Sequence, residues 1–245
     1  MPAHSDIDLV VFDVLGTLVN EPAGLHHSIR EIVPDDAGSQ VDELVALWQD
    51  HVADQQRQML DGDRPYANSD VVDLEAAELV AAEAGVPDAA AIDRLGTAER
   101  RLDPWPDTVE GLERLARHAP IVGLSNASRA TLTRLNAHAG LRWHYVLSAE
   151  DARSYKPAPE VYRLALDVAG HHAPERILMV AAHAWDLRGA QAVGLRTAYV
   201  ERPVGDPPAA AESFDFHADS LAELEAMILD RTGPGVSARR STLTG

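Results

Sequence analysis

Asp13 follows a short apolar segment, residues 7–11, and is itself followed by Gly16 and Thr17. The segment is β-branched and almost free of polar side chains, which is typical of a buried parallel strand. Gly16 then allows a tight turn. Ligands bind at the carboxyl ends of strands in an open α/β sheet, so Asp13 is predicted to lie at the floor of a pocket. A carboxylate in that position can act as a nucleophile; the alternative is that it only caps the following turn.

Three later segments carry side chains that complement Asp13. Ser125 and Asn126 end a second apolar run, and Asp186 comes shortly after a third. Lys156 lies between these two segments in the chain, directly before a helical pattern. The carboxyl ends of parallel strands meet at one edge of a sheet. We therefore expect a carboxylate nucleophile, a hydroxyl, an amide, a lysine and a second acid to form one site.

The elements that would position these residues follow a simple order. From Asp107 onward the predicted helices and strands alternate, which is typical of a doubly wound parallel sheet. About a hundred residues separate the first two strands, and their patterns predict helices at 41–60, 71–84 and 88–101. Because the flanking strands must still pair, this block is predicted to be a helical cap. The acidic residues at 35–36 and 70–83 are expected on solvated faces.

The ordered set of four motifs resembles the haloacid dehalogenase superfamily of hydrolases, and the resemblance extends from residue 7 to about residue 229. It implies a Rossmannoid α/β core with an inserted helical cap that closes over Asp13. The predicted core comprises residues 1–19 and 104–231, and the predicted cap comprises residues 20–103. A disordered tail is predicted at residues 232–245.

The composition argues against several classes of partner. The formal net charge is −18 and the isoelectric point is about 4.8, whereas DNA, RNA and anionic membranes require clustered Lys and Arg. An anionic substrate must therefore be captured by local donors. Cysteine is absent, which excludes disulfides and thiolate nucleophiles. No signal-peptide pattern and no segment long enough to span a bilayer is found, so a cytoplasmic location without membrane contact is expected.

Leu15 separates two kinds of chemistry within the superfamily. Its phosphatases carry a second acid two residues after the nucleophile, and this acid protonates the departing alkoxide. Leucine cannot do so, and general acid catalysis typically supplies about a hundred- to ten-thousand-fold in rate. A halide leaves without a proton. Magnesium also requires several hard oxygen ligands, and Asp186 is the lone acid of the last motif. We therefore expect carbon–halogen chemistry with no metal and no cofactor.

The pattern is most similar to the type II 2-haloacid dehalogenase branch. That branch shares a lysine followed six residues later by a tyrosine, and an aromatic residue followed by aspartate, here Lys156 with Tyr162 and Trp185 with Asp186. The resemblance implies that Leu15 and Trp185 contact a small 2-haloacid substrate. It also implies a homodimer that associates through cap or adjacent core helices.

The resemblance assigns a role to each member of the predicted catalytic set. Asp13 would attack the substrate Cα, expel halide and form an aspartyl ester, which water activated by Asp186 then hydrolyses. Lys156 would hold Asp13 ionised beside the second carboxylate, since two close carboxylates otherwise raise one pKa. Thr17 and Tyr162 would orient Asp13 and Lys156 by hydrogen bonds. Backbone N–H groups with Ser125 and Asn126 would bind the substrate's carboxylate.

Two positions depart from that branch. Its cap-helix arginine, directly after a tryptophan, receives the halide, but the matching pair here is Trp48-Gln49. Arg57 or Arg64 could supply the missing cation from elsewhere in the cap, although both are also typical of solvated surface. His183 stands where many members have Asn. A histidine at this position resembles a subgroup of defluorinating members. Two roles for His183 remain open, namely contact with the substrate and packing that supports the site.

Three functions from different classes follow from these observations. The first is metal-independent hydrolysis of small 2-haloacids. The second is a phosphatase of the same superfamily, which Leu15 and the lone Asp186 disfavour. The third is a dehalogenase-like member with an altered substrate or without halide chemistry, because Gln49 replaces the expected arginine.

Overall fold

The computed structural model describes residues 6–33 and 40–230, and its centre is a six-stranded sheet. Every strand pairs in parallel, in the order β3-β2-β1-β4-β5-β6. The strands are β1 (Leu9–Phe12), β2 (Ile121–Ser125), β3 (Tyr145–Ser148), β4 (Ile177–Ala181), β5 (Arg196–Val200) and β6 (Phe216–Ala218). The helices are α1 (Glu21–Ile32), α2 (Val41–Asp61), α3 (Ser69–Glu83), α4 (Ala89–Leu95), α5 (Thr108–Leu115), α6 (Arg129–His138), α7 (Pro159–Ala169), α8 (Ala184–Ala192) and α9 (Leu221–Asp230).

Two hydrophobic layers cover the faces of the sheet. Val10 and Phe12 of β1 belong to a cluster with α5, α6 and α9, whereas Leu9 and Val11 belong to a cluster with α7 and α8. A strand buried on both faces needs apolar side chains at consecutive positions, which explains the uninterrupted apolar runs of the sequence. The predicted doubly wound α/β fold is confirmed.

The strand order places the polar segments together. The order reverses beside β1, which lies between β2 and β4, and such a reversal opens a crevice at the carboxyl ends of the strands. Asp13 follows β1, Ser125 ends β2, and His183 comes two residues after β4. The backbone N–H of Asp13 still donates to the carbonyl of Val180 at 2.9 Å. The first carboxylate is thus fixed to the sheet itself.

Helices α1 to α4 lie in the chain between β1 and β2 and enclose a third hydrophobic cluster, which includes Leu25, Trp48 and Val80. A separate cluster is what an inserted helical unit needs to fold over a sheet. The cap boundaries at residues 20 and 103 stay a prediction. In the described part of the chain, no helix is long and apolar enough to cross a membrane.

Several elements differ from those that the sequence predicts. The third cap helix, predicted over 88–101, ends at Leu95; Gly96 follows, and a 3₁₀ turn occupies Ala98–Arg101. Helix α8 begins at Ala184, directly after His183. Helix α1 and strand β6 were not predicted. Helix α1 contains Gly24 and two adjacent histidines, which have low helix propensity and weaken its pattern. Strand β6 has only three residues, which are too few to show the alternation of a strand. The tail at 232–245 and the acids at 35–36 lie outside the described residues.

The turn after β1 depends on Gly16. Its φ is +75°, and a Cβ built on it would lie 2.6 Å from Nε2 of His183. A residue with a side chain would therefore have to adopt a left-handed backbone conformation, and its Cβ would clash with His183, directly before α8. The absent side chain lets the β1 turn and the β4 loop approach each other.

We predict that Gly16→Ala lowers the free energy of unfolding by about 2–4 kcal/mol, the sum of a left-handed alanine and an overpacked contact. Gly62→Ala is a matched control, because Gly62 has φ +83° but nothing within 4 Å of its Cβ position. Urea unfolding should show a smaller loss for Gly62→Ala, and His183→Ala should partly rescue Gly16→Ala. Equal losses for the two glycines would contradict the clash with His183.

Candidate active site

Lys156 joins the two predicted catalytic carboxylates. Its Nζ donates to Oδ1 of Asp13 at 2.9 Å and to Oδ2 of Asp186 at 2.8 Å. All three residues are buried, with 6%, 3% and 0% of the surface of Asp13, Lys156 and Asp186 exposed. One cation therefore serves two carboxylates in a region shielded from water, where ionic hydrogen bonds are strong.

Two hydroxyl groups hold the remaining carboxylate oxygens. Thr17 Oγ1 donates to Oδ2 of Asp13 at 2.6 Å and accepts from the backbone N–H of Ala182 at 2.9 Å. Tyr162 donates to Oδ1 of Asp186 at 2.6 Å. The expectation that Tyr162 orients Lys156 directly is therefore wrong, because its hydroxyl reaches Asp186 instead. It positions the lysine only through the shared carboxylate.

The electrostatics of this group follow from burial and pairing. Burial by itself lowers the pKa of Lys156, but Asp13 and Asp186 outweigh it, so the pKa of the ammonium is raised. Burial raises the pKa of Asp186, and Lys156 and the Tyr162 hydroxyl offset only part of that increase. The lysine thus stays cationic at neutral pH, and its charge is fully engaged by the two acids.

Asn126 connects Lys156 to the cap. Its Oδ1 accepts from the backbone N–H of Lys156 at 2.8 Å, and its Nδ2 donates to Oε1 of Gln56 on α2 at 3.2 Å. Ser125 is fully buried, and its Oγ accepts from the backbone N–H of Ala127 at 3.1 Å. The predicted anion-binding residues therefore lie beside the catalytic group, and Asn126 also positions it.

A cavity of about 230 Å³ opens above Asp13. Ser125, Asn126 and Lys156 line it from the core, together with Leu15, His183 and Trp185. Helix α2 contributes the opposite wall through four residues at helical spacing, namely Gln49, Val52, Ala53 and Gln56. Residues spaced by three, four and seven share one helical face. A single face of α2 thus covers the site.

The predicted substrate-contact residues all line this cavity. Leu15 is half-buried and offers no proton, while the ring of His183 stacks on that of Trp185 at a centroid distance of 5.9 Å. Gln49 lines the cavity wall although its side chain is largely exposed. Gln49 therefore belongs to the cap side of the cavity lining, where the resemblance places a cation.

Neither of the alternative arginines reaches this space. Arg57 is exposed and pairs with Asp54 of its own helix. Arg64 forms a two-pronged ion pair with Glu75, at 2.8 and 2.6 Å. Neither lines the cavity. The missing cation is therefore not supplied by these two residues.

Two further acids line the cavity that sequence reasoning missed, Glu21 and Glu99. Glu99 is 6% exposed, and its Oε2 is buried without a hydrogen-bond partner. Asp73, beside them on α3, is only 2% exposed, so the expected solvated face over residues 70–83 is wrong at that position. The burial of Asp73 could have been predicted from its spacing on the helix. Asp73 is adjacent to Val72 and three residues before Ala76, so it lies on the same apolar face.

Comparison with known proteins agrees with this geometry. The family model of haloacid dehalogenase-like hydrolases matches residues 7–194. The chain belongs to the haloacid dehalogenase-like hydrolase family. A curated relative is (S)-2-haloacid dehalogenase 4A of Burkholderia cepacia, 29% identical over 220 residues that cover 87% of this chain and 91% of the relative.

Solved structures of this hydrolase family are similar over almost the whole chain. A defluorinating L-2-haloacid dehalogenase has a TM-score of 0.81 at 29% identity, covering 93% of this chain and 99% of that one. An L-2-haloacid dehalogenase from Xanthobacter autotrophicus, solved with chloropropionic acid covalently bound, has a TM-score of 0.78 at 26% identity, covering 91% and 98%. The predicted resemblance to 2-haloacid dehalogenases is confirmed.

The buried acids give a testable dependence of stability on pH. Burial raises the pKa of Glu99 well above its usual value of 4.5, and Asp73 and Glu21 raise it further. Above pH 4.5 the unfolded chain loses a proton that the folded chain keeps, so unfolding becomes easier as pH rises toward the folded-state pKa. The slope for one group is about 1.4 kcal/mol per pH unit.

We predict that Glu99→Gln removes this contribution. Urea unfolding at pH 5, 6 and 7 should show the variant gaining stability relative to the unmodified chain as pH rises, by up to about 1.4 kcal/mol per unit. Glu113→Gln, at an exposed position on α5, is the control and should show no such trend. A difference between Glu99→Gln and the parent that is independent of pH would contradict a neutral Glu99.

Proposed function

We propose that this chain hydrolyses the carbon–halogen bond of small 2-halocarboxylates through an ester formed on Asp13, without a metal ion. The observation that carries the proposal is the Lys156 ammonium between Asp13 and Asp186, with Leu15 in place of an acid. The relatives named 2-haloacid dehalogenases, and the structure with covalently bound chloropropionic acid, support it.

In the first half-reaction, a carboxylate oxygen of Asp13 attacks the substrate Cα. The carbon–halogen bond breaks, its electron pair leaves with the halide, and an ester links Asp13 to the substrate. No proton is transferred in this step, so Leu15 costs nothing. Lys156 and the Thr17 hydroxyl hold Asp13 in one orientation, which supplies part of the rate through positioning.

In the second half-reaction, water attacks the carbonyl carbon of the Asp13 ester. Asp186 accepts one proton of the water and passes it to the departing alkoxide oxygen, so that the 2-hydroxy acid leaves. The other proton of the water is released to solvent as the Asp13 carboxylate is restored. Burial raises the pKa of Asp186, which makes it a better proton acceptor than an exposed aspartate. Tyr162 occupies Oδ1 of Asp186. Lys156 and the attacking water therefore both bind at the other oxygen, Oδ2.

The substrate carboxylate is placed beside Ser125 and Asn126, at the carboxyl end of β2. The Cα substituent and halogen then point toward the cap side of the cavity, which Gln49 and Val52 of α2 and Glu99 line. The cavity of about 230 Å³ favours small substrates. A homodimer and a cytoplasmic location belong to the same proposal and rest on the resemblance and the composition.

Halide release in the presence of EDTA tests the proposal. Fluoro-, chloro- and bromoacetate and both enantiomers of 2-chloropropionate should be assayed beside a phosphate-ester panel. Halide release insensitive to EDTA supports the proposal. Phosphatase activity that EDTA abolishes would replace it with the second function, and inactivity on both panels would favour the altered-substrate alternative.

Asp13→Asn is predicted to fold normally and lose turnover, because an amide cannot form the ester. Asp167→Asn, an exposed aspartate on α7, is the control and should retain activity. In H₂¹⁸O, mass spectrometry of the parent after several turnovers should find ¹⁸O in the peptide that contains Asp13. Turnover by freshly purified, non-deamidated Asp13→Asn would rule out the nucleophile.

Gln49→Arg is predicted to raise the rate of halide release from 2-chloroacids. A charged donor makes a hydrogen bond to an anion roughly twice as strong as a neutral one does, and Gln49 already lines the cavity. Arg57→Ala serves as the control and should leave the rate unchanged, since Arg57 pairs with Asp54 outside the cavity. A lower rate in Gln49→Arg, or loss of activity in Arg57→Ala, would contradict this role for Gln49.

A further inference from the structure

Glu99 is a buried acid on the cavity wall that the proposed mechanism does not use. It lies in the 3₁₀ turn Ala98–Arg101 and lines the same cavity as Asp13 and Gln49. It is 6% exposed, and its Oε2 is inaccessible to water-sized probes and has no hydrogen-bond partner. A buried polar atom without a partner costs free energy. Because Oε2 is closed off from the cavity, a ligand contact would have to be made by the other oxygen, Oε1, which also has no hydrogen bond within the described part of the chain and is not among the buried atoms.

The groups that face Glu99 supply no cation. Asp70 and Asp73 of α3 and Glu21 of α1 act on it electrostatically, and all three are acids. Helix α6, which also packs on this turn, contributes the uncharged Thr131. The neighbouring Arg100 points away, since its guanidinium donates to Asp70 at 3.2 Å and to Thr131 at 3.3 Å. An ionised Glu99 would be a buried, unpaired charge, which is strongly unfavourable.

The neutral carboxyl is therefore the form that this environment favours, and it offers an O–H donor. The same cavity needs hydrogen-bond donors, because a halide leaves there as an anion. Lys156 is the cation of the site, but Asp13 and Asp186 both engage it, and Gln49 brings only an amide. Apart from the ring of His183, the groups that remain to stabilise a departing halide are uncharged donors.

We propose that Glu99 donates the hydrogen of its neutral carboxyl to the substrate's halogen and to the departing halide. This inference rests on the proposed function and names the leaving-group subsite within it. Glu99 keeps its proton throughout, and the halide leaves as an anion. Glu21, beside it on the cavity wall, helps to keep Glu99 protonated because two close carboxyls do not both ionise readily. The raised pKa of Glu99 agrees with this arrangement.

The pH dependence of kcat/KM separates a donor from an acceptor. With chloroacetate, the parent chain should lose activity at high pH as Glu99 ionises, and Glu99→Gln should keep its activity there, because an amide donates without titrating. Glu99→Leu should lose about ten- to hundred-fold, the worth of one hydrogen bond to an ion. Thermal melts check that each variant folds, and Glu113→Gln should match the parent.

Comparison of halogens identifies the atom that Glu99 contacts. The loss in Glu99→Leu should be larger with chloroacetate than with bromoacetate, because the poorer leaving group depends more on a donor. Equal losses would place Glu99 on the carboxylate and overturn the proposal. So would a Glu99→Gln variant as inactive as Glu99→Leu with an unshifted pH profile, since that result requires an anionic acceptor.

Binding of sodium bromide, followed by calorimetry, gives a readout that does not need turnover. The parent should bind bromide more weakly at pH 8 than at pH 5, and Glu99→Gln should bind equally at both. If no 2-haloacid releases halide but bromide binds in this way, the proposed function fails and the subsite stands. If halide is released and Glu99→Gln changes neither profile, the subsite fails and the function stands.

Discussion

The Lys156 ammonium is the interaction on which the rest of the site depends. Two buried carboxylates could not both stay ionised this close without it, because like charges favour protonation of one of them. The lysine is equally dependent on them, since an unpaired buried ammonium is strongly unfavourable. Thr17 and Tyr162 satisfy the outer carboxylate oxygens, so the network has few alternative arrangements. Its formal sum is one negative charge at the floor of a cavity.

That negative floor constrains every other residue around the cavity. An anionic substrate is repelled by the floor and attracted only by local donors, because the chain as a whole is also strongly acidic. Additional ionised acids in the wall would make binding worse. Glu21 and Glu99 are tolerable there because burial raises the pKa of each, with further increases from Asp13 for Glu21 and from Asp73 and Glu21 for Glu99. A carboxyl that is kept protonated in this way is a hydrogen-bond donor.

The floor of the site could be predicted from sequence, whereas the acids of its wall, Glu21 and Glu99, could not. Asp13, Ser125 and Asp186 stand at or just beyond strand ends, and parallel strands bring such positions together whatever the loops do. Glu99 carries no comparable signal, because its burial results from the packing of its turn against α1 and α6. Helix α1 itself was missed, although Asn20 caps it and Pro22 stands in its first turn. Tertiary packing decides which acids are buried, and periodicity alone does not report it.

Helix α2 shows how one fixed point extends such a prediction. Once Gln49 is placed on the cavity, residues 52, 53 and 56 follow from helical geometry. Gln56 then accepts from Asn126, whose other end holds the backbone of Lys156. The cap is thus connected to the lysine through a single amide, so a shift of α2 would be felt at Asp13 through two hydrogen bonds and one ion pair. The position of α2 and the orientation of the nucleophile are therefore coupled through Asn126.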